Sequence, residues 1–148
     1  MNVKVYSLAE SGEKKISPNF RAREFRCRDG SDPIFVDEAL LVLLEAIRSH
    51  FNEPVNINSA FRTVAYNARG DVGGSPRSQH LYARAADIWL PGVPPLAVAQ
   101  YAEFLQPTKG GIGVYKTFTH VDVRENRSRW DSRSGKQVVV SGWPGYKE

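Results

Sequence analysis

The sequence of 148 residues contains only three histidines, and two of them stand near acidic residues in patterns that could do chemistry. One place is Ser78-Gln79-His80-Leu81-Tyr82-Ala83-Arg84-Ala85-Ala86-Asp87, where a loop histidine precedes a carboxylate in a strand-like run. The other is Phe118-Thr119-His120-Val121-Asp122-Val123-Arg124. Side chains in a strand alternate between faces. Phe118, His120, Asp122 and Arg124 therefore share one face, while Val121 and Val123 take the other, the natural core side. If the run carrying Asp87 pairs antiparallel beside this strand, facing residues sit ~5 Å apart at Cβ, close enough to share a metal. His80, Asp87 and His120 then offer two imidazoles and a carboxylate. That set suits Zn²⁺ and leaves a fourth position for water, as hydrolytic sites do and closed structural sites do not. The same spacing also allows a purely structural arrangement, with His80 anchoring its loop and His120 paired with Asp122. The third histidine, His50, ends a helix, where a cation is an ordinary feature. Cys27 is the single cysteine, so no internal disulfide forms, and it reads as a small semi-buried residue.

These residues need elements to hold them. Residues 2–8 alternate apolar and polar and read as a short strand or extended arm. Residues 17–35 look irregular, packed on the domain by Phe20 and Phe25. The clearest helix spans 37–51, where Leu40, Leu41, Leu43, Leu44, Ile47 and Phe51 give a wide apolar face and Asp37 and Glu38 favour the first turn. A strand follows Pro54 over 55–59, then a short helix over 62–69, then a loop with Gly70, Gly73, Gly74 and Pro76. A strand over 85–90 carries Asp87. Trp89 shares its face and reads as core packing, or as a cleft wall. Pro94-Pro95 open a helix over 95–105. Glycines 110, 111 and 113 turn into one long strand over 112–124, and a last strand is expected over 137–141. Helices and strands without regular βαβ spacing predict a single α+β domain, a small antiparallel sheet with helices packed on it and a zinc cleft. Its parts are an N-terminal arm (1–16), a core (17–130) and a C-terminal extension (131–148).

Composition narrows the function. At 41% hydrophobic residues the chain has an ordinary globular make-up and enough length for one core. No apolar run approaches the ~20 residues that span a bilayer, so no membrane partner is expected. The N-terminus lacks the apolar stretch and cleavage site of a signal peptide. The net charge of +4 and pI near 9.3 suit an anionic partner. The basic residues are scattered, with modest groups over 21–28 and 124–133, which reads as a solvated face and no specific nucleic-acid partner.

The two motifs together resemble the pattern Ser-x-His-x-x-Gly-x-Ala-x-Asp followed by a strand His-x-Asp, the signature of the zinc D-alanyl-D-alanine metallopeptidases. This group of peptidoglycan peptidases includes bacteriophage endolysins. The match holds at Ser78, His80, Ala85, Asp87, His120 and Asp122. Asn19-Phe20, Glu24-Phe25, Ser59-Ala60-Phe61-Arg62-Thr63 and Gly111-Ile112-Gly113-Val114-Tyr115 stand in family-like order around it, so the resemblance covers about residues 17–130. It implies a zinc ion on His80, Asp87 and His120, and Arg62 facing the substrate, where a guanidinium grips a carboxylate or peptide carbonyl. Ser78, Gln79 and Tyr115 are further candidate substrate contacts.

Two positions depart from the pattern. The family glycine between His and Asp is Ala83 here. Many relatives place a general base two or three residues before the last zinc ligand, and those positions are Phe118 and Thr117, which take no proton. Asp122 is then the candidate base, or else a group that orients His120. The resemblance implies a monomeric zinc peptidase, carboxypeptidase or endopeptidase, that cleaves an amide bond in peptidoglycan stem peptides or cross-bridges. A phage or prophage lysin fits, made in the bacterial cytoplasm and released to the wall by a partner such as a holin. The alternative is a catalytically weak zinc-containing module that binds cell wall or peptide. Purified protein should carry about one zinc per chain. Elemental analysis of wild type, His80→Ala and His120→Ala checks this, and equal zinc in all three contradicts the ligand assignment.

Overall fold

Residues 2–148 are described by a computed structural model. The helix predicted after residue 36 forms because its ends are chemically marked. Asp37 accepts a hydrogen bond from the Ala39 N–H at 2.9 Å, and Asn52 closes the other end in the left-handed region at φ 52°. Between them Leu40, Leu43, Leu44 and Ile47 recur at helical spacing and are buried. Each stabilises the fold by roughly 1.5–3 kcal/mol relative to exposure.

In chain order the elements are β1 (Val3–Ser7), α1 (Leu8–Ser11), β2 (Lys15–Ser17), β3 (Phe20–Arg21) and β4 (Pro33–Asp37). Then come α2 (Glu38–Phe51), β5 (Asn56–Ser59), α3 (Val64–Asn67) and β6 (Ala85–Trp89). The last are α4 (Pro95–Leu105), β7 (Gly111–Val114), β8 (Thr119–Asp122), β9 (Ser128–Asp131) and β10 (Val138–Val139). Two 3-10 turns, Ala22–Phe25 and Gln79–Tyr82, complete the list. Six strands form the main sheet in the order β10-β9-β7-β8-β6-β5. Ala86, Ile88, Ile112, Val114 and Val121 leave this sheet on one face and join Leu44, Ile47, Val98, Ala99 and Ala102 of α2 and α4 in the core. The opposite face carries Asp87 and His120. The fold is α+β, as expected.

Three expectations change in detail. The long strand over 112–124 is two strands, because the Tyr115 N–H donates to the Phe118 carbonyl at 3.0 Å and closes a hairpin between β7 and β8. The sheet is mixed, because β9 runs parallel to β7. The chain leaving β8 crosses the Gly110 end of β7, where the Gly110 N–H reaches the Arg124 carbonyl and the Ser128 N–H reaches the Gly110 carbonyl, each at 3.0 Å. That short crossing returns β9 in β7's own direction. Finally, the irregular region over 17–35 contains β3, a 3-10 turn and most of β4. Phe20 and Phe25 are buried there with their rings edge-on at 5.8 Å.

Both ends of the chain are structural. β1 pairs antiparallel with β4, from Val3 opposite Asp37 to Ser7 opposite Pro33. In the C-terminal stretch Trp143 is buried and its indole N–H donates to the Ile112 carbonyl at 3.3 Å. Its backbone N–H donates to Glu103 on α4, which also pairs with the fully covered Arg129 of β9 at 2.8 and 2.9 Å. Arg129 further donates to the carbonyls of Gly110 and Gln106. One ion pair thus ties α4, the end of β7, β9 and the C-terminal segment. Glu103→Ala leaves the Arg129 charge buried and unpaired and should lower stability by about 3 kcal/mol. Urea denaturation of the variant reads this directly, and a loss below about 1 kcal/mol, the value of an exposed pair, contradicts it.

Candidate metal centre

β6 and β8 pair antiparallel with Asp87 directly opposite His120. Both side chains leave the sheet on the face away from the core, and both are buried. His80 arrives from the 3-10 turn before β6. Ser78 caps that turn, accepting from the His80 N–H at 3.2 Å, and Ala83 ends it with φ 60° and ψ 25°. This left-handed conformation is where the family pattern has glycine. Alanine there costs about 1 kcal/mol, offset in part by burial of its methyl group beside Cys27 and Phe61.

Each imidazole has one nitrogen anchored and one turned inward. His80 Nδ1 lies 2.6 Å from the Ala60 carbonyl and donates to it, so Nε2 faces Asp87 Oδ2 at 3.4 Å. His120 Nε2 lies 2.7 Å from Asp122 Oδ2, so Nδ1 faces Asp87 Oδ1 at 3.0 Å. One ligand atom from each of His80, Asp87 and His120 lies within 4.8 Å of the others. The donor set fits a zinc ion: three buried N/O donors and both rings fixed by outer hydrogen bonds. The electrostatics agree. Burial pulls the His120 pKa down, but its bonds to the Asp122 and Asp87 carboxylates outweigh that and push it up to about 9. Burial raises the Asp87 carboxyl, yet the His80 charge and the hydrogen bonds of both imidazoles hold it well below the usual range.

Asp122 stands behind His120. Its side chain is fully buried and receives the Gly111 N–H at 2.8 Å and the Arg124 guanidinium at 2.6–3.0 Å. Burial raises this carboxyl too, but the His120 and Arg124 partners hold it well below the usual range. Glycine at 111 is required, since a Cβ there would overlap the Asp122 carboxylate. The His120 ring separates Asp122 from the inward-facing donors, so the expectation that Asp122 itself moves the reacting proton does not suit its place. Glu24, which accepts from the Arg21 N–H, and Asp71, which pairs with Arg69, both lie outside the cleft lining.

The donors open on a cleft of about 560 Å³. Arg62, Ser78, Gln79 and Tyr115 all line it, together with Arg77, Phe118, Arg124 and Trp130. Arg62 is held by Ser59 Oγ at 3.0 Å, Asn67 Oδ1 at 3.3 Å and Asp87 Oδ2 at 3.5 Å. Among the described lining residues Asp87 is the only carboxylate and three arginines face it, so the cleft is cationic. Trp130 was not foreseen. Its ring lies 5.0 Å from the His120 ring and occupies the space left by Gly113, where any Cβ would overlap it. Gly-x-Gly in β7 was the only trace of this in the sequence. Trp89, by contrast, is 41% exposed and outside the cleft, so it is neither core nor wall. His50 lies apart, stacked on Tyr101 at 3.7 Å, and Cys27 is buried beside Thr63.

Two fixed imidazoles and a carboxylate beside an open cleft form a donor set that could hold a metal ion, and zinc suits it. A family model described as Peptidase M15 matches residues 18–122, a span that holds all three donors. The chain belongs to this family, the zinc D-Ala-D-Ala carboxypeptidase family, and is a metallopeptidase of that class. No curated protein matches it. Asp122→Asn keeps the shape behind His120 but removes the charge that orients it. Zinc affinity should fall ~10–100-fold, read by competition with a chromophoric chelator, and an unchanged affinity contradicts an orienting role.

Proposed function

We propose that this chain is a zinc peptidase that hydrolyses an amide bond in peptidoglycan stem peptides or cross-bridges. The observation that carries the proposal is the placement of the His80–Asp87–His120 donors at the floor of a cationic cleft. When bound, zinc polarises the scissile carbonyl and activates water. The rest is supplied by the chain. His80 and His120 present one nitrogen each because Ala60 and Asp122 hold the other. Arg124 pairs with Asp122, which keeps the imidazole–carboxylate pair fixed. Arg62 stands beside Asp87 with its guanidinium already oriented, placed to hold a substrate carbonyl or carboxylate. Arg77 is exposed at the opening and suits the acidic groups of a stem peptide.

One observation favours a slower variant of this reading. Among the described lining residues, no carboxylate or imidazole outside the donor set reaches the cleft. A positioned general base contributes ~10²–10⁴-fold. Without one, the chain turns over slowly, or acts as a zinc-containing module that binds wall peptides. A phage or prophage lysin, delivered to the wall by a membrane-pore partner, is the biological setting this chemistry suits.

Digestion of purified muropeptides, followed by mass spectrometry of the fragments, tests the proposal. One new amine and one new carboxyl per cleavage are expected, at a single type of peptide bond. Cleavage should disappear on chelation and return with zinc. Intact muropeptides that are nevertheless retained by the zinc-loaded protein support the binding module, and activity that survives chelation overturns both readings.

A further inference from the structure

Zinc chemistry on an amide needs a second group to meet the negative charge that develops on the carbonyl oxygen. The cleft offers few hydrogen-bond donors that are both fixed and uncommitted. Arg62 has three of its five N–H groups bonded to Ser59, Asn67 and Asp87, and the other two are placed for the ends of the substrate. Arg124 is held on Asp122 by three hydrogen bonds. The Ser78 hydroxyl caps the turn that carries His80, and Arg77 is exposed on the glycine-rich loop.

Tyr115 is different. It begins the β7–β8 hairpin, its N–H bonded to the Phe118 carbonyl at 3.0 Å, and its ring stacks on Phe118 at 4.4 Å and 11°. The phenol oxygen accepts the Trp130 indole N–H at 3.1 Å. That same indole lies 5.0 Å from the His120 ring, in the space Gly113 leaves. The Tyr115 oxygen therefore touches the indole that packs on His120, and the residue lines the same cleft. Its own O–H has no acceptor among the described residues. A hydroxyl that accepts a hydrogen bond is polarised into a better donor, and the stacked ring has little freedom to lose.

We propose that Tyr115 is a catalytic residue, donating its O–H to the carbonyl oxygen of the scissile amide as that oxygen becomes negative. This rests on the peptidase reading above. No proton need leave the phenol. The bond strengthens as the carbonyl carbon becomes tetrahedral and relaxes when the C–N bond breaks. Trp130, tied to Tyr115 and packed on His120, positions the donor.

Tyr115→Phe keeps the ring and its stacking and removes only the donor. With zinc-loaded protein and purified muropeptides, kcat should fall ~100-fold or more while KM stays within about threefold. Zinc content should stay at wild-type level. A phosphinate isostere of the cleaved bond, which mimics the tetrahedral state, should bind the variant more weakly by a similar factor, read by calorimetry without turnover. Wild-type kcat and wild-type phosphinate affinity in the variant overturn the inference and leave the peptidase reading standing. A rise in KM alone assigns Tyr115 to ground-state binding and also overturns it. If wild type neither cleaves muropeptides nor binds the phosphinates of their peptide bonds, the peptidase reading has failed and the inference falls with it.

Discussion

Asp87 faces His120 because β6 and β8 pair antiparallel in one register, with Ala86 opposite Val121 and Ile88 opposite Thr119. Side chains alternate along both strands, so a slip of one residue would bury the carboxylate in the core and lift valine into the cleft. The core therefore enforces the metal site. Ala86, Ile88 and Val121 are wholly buried against α2 and α4, and their burial is lost in any other pairing. The ion need not assemble this fold, in contrast to small zinc modules that are unfolded without metal.

Around that register the chain places a second layer that decides which atoms face inward. The Ala60 carbonyl fixes the His80 ring, and Asp122 fixes the His120 ring, backed by Arg124 and the Gly111 N–H. Two glycines in β7 exist for what stands over them. Gly111 makes room for Asp122, and Gly113 makes room for Trp130. Trp130 then links the donor side of the site to Tyr115 on the wall. Metal, support and substrate wall thus grow from four adjacent strands, β9, β7, β8 and β6, which suits the precision that catalysis demands.

Much of this was legible in the chain before any coordinates. Alternation placed His120 and Val121 on opposite faces, helical spacing found α2 and α4, and Pro94-Pro95 marked the start of the latter to the residue. The departure from glycine at Ala83 was visible in the sequence, and it falls on a φ of 60°, in the left-handed region that glycine favours. Other features depend on contacts between distant segments. The parallel return of β9 follows from a crossing over Gly110 that no local pattern encodes, and it alone brings Trp130 to His120. The role of Asp122 was open for the same reason. Strand alternation gives its face, but only packing shows Gly111 and Arg124 enclosing it behind the imidazole.

Outer hydrogen bonds choose the ligating nitrogens before any ion arrives. With only three histidines in the chain, nitrogen-15 NMR of the imidazole rings during zinc titration reads this without ambiguity. Metal-induced shifts are expected at His80 Nε2 and His120 Nδ1, with both nitrogens of His50 unmoved and saturation at about one zinc per chain. Coordination through His80 Nδ1 or through His50, or no change at His120, would contradict it.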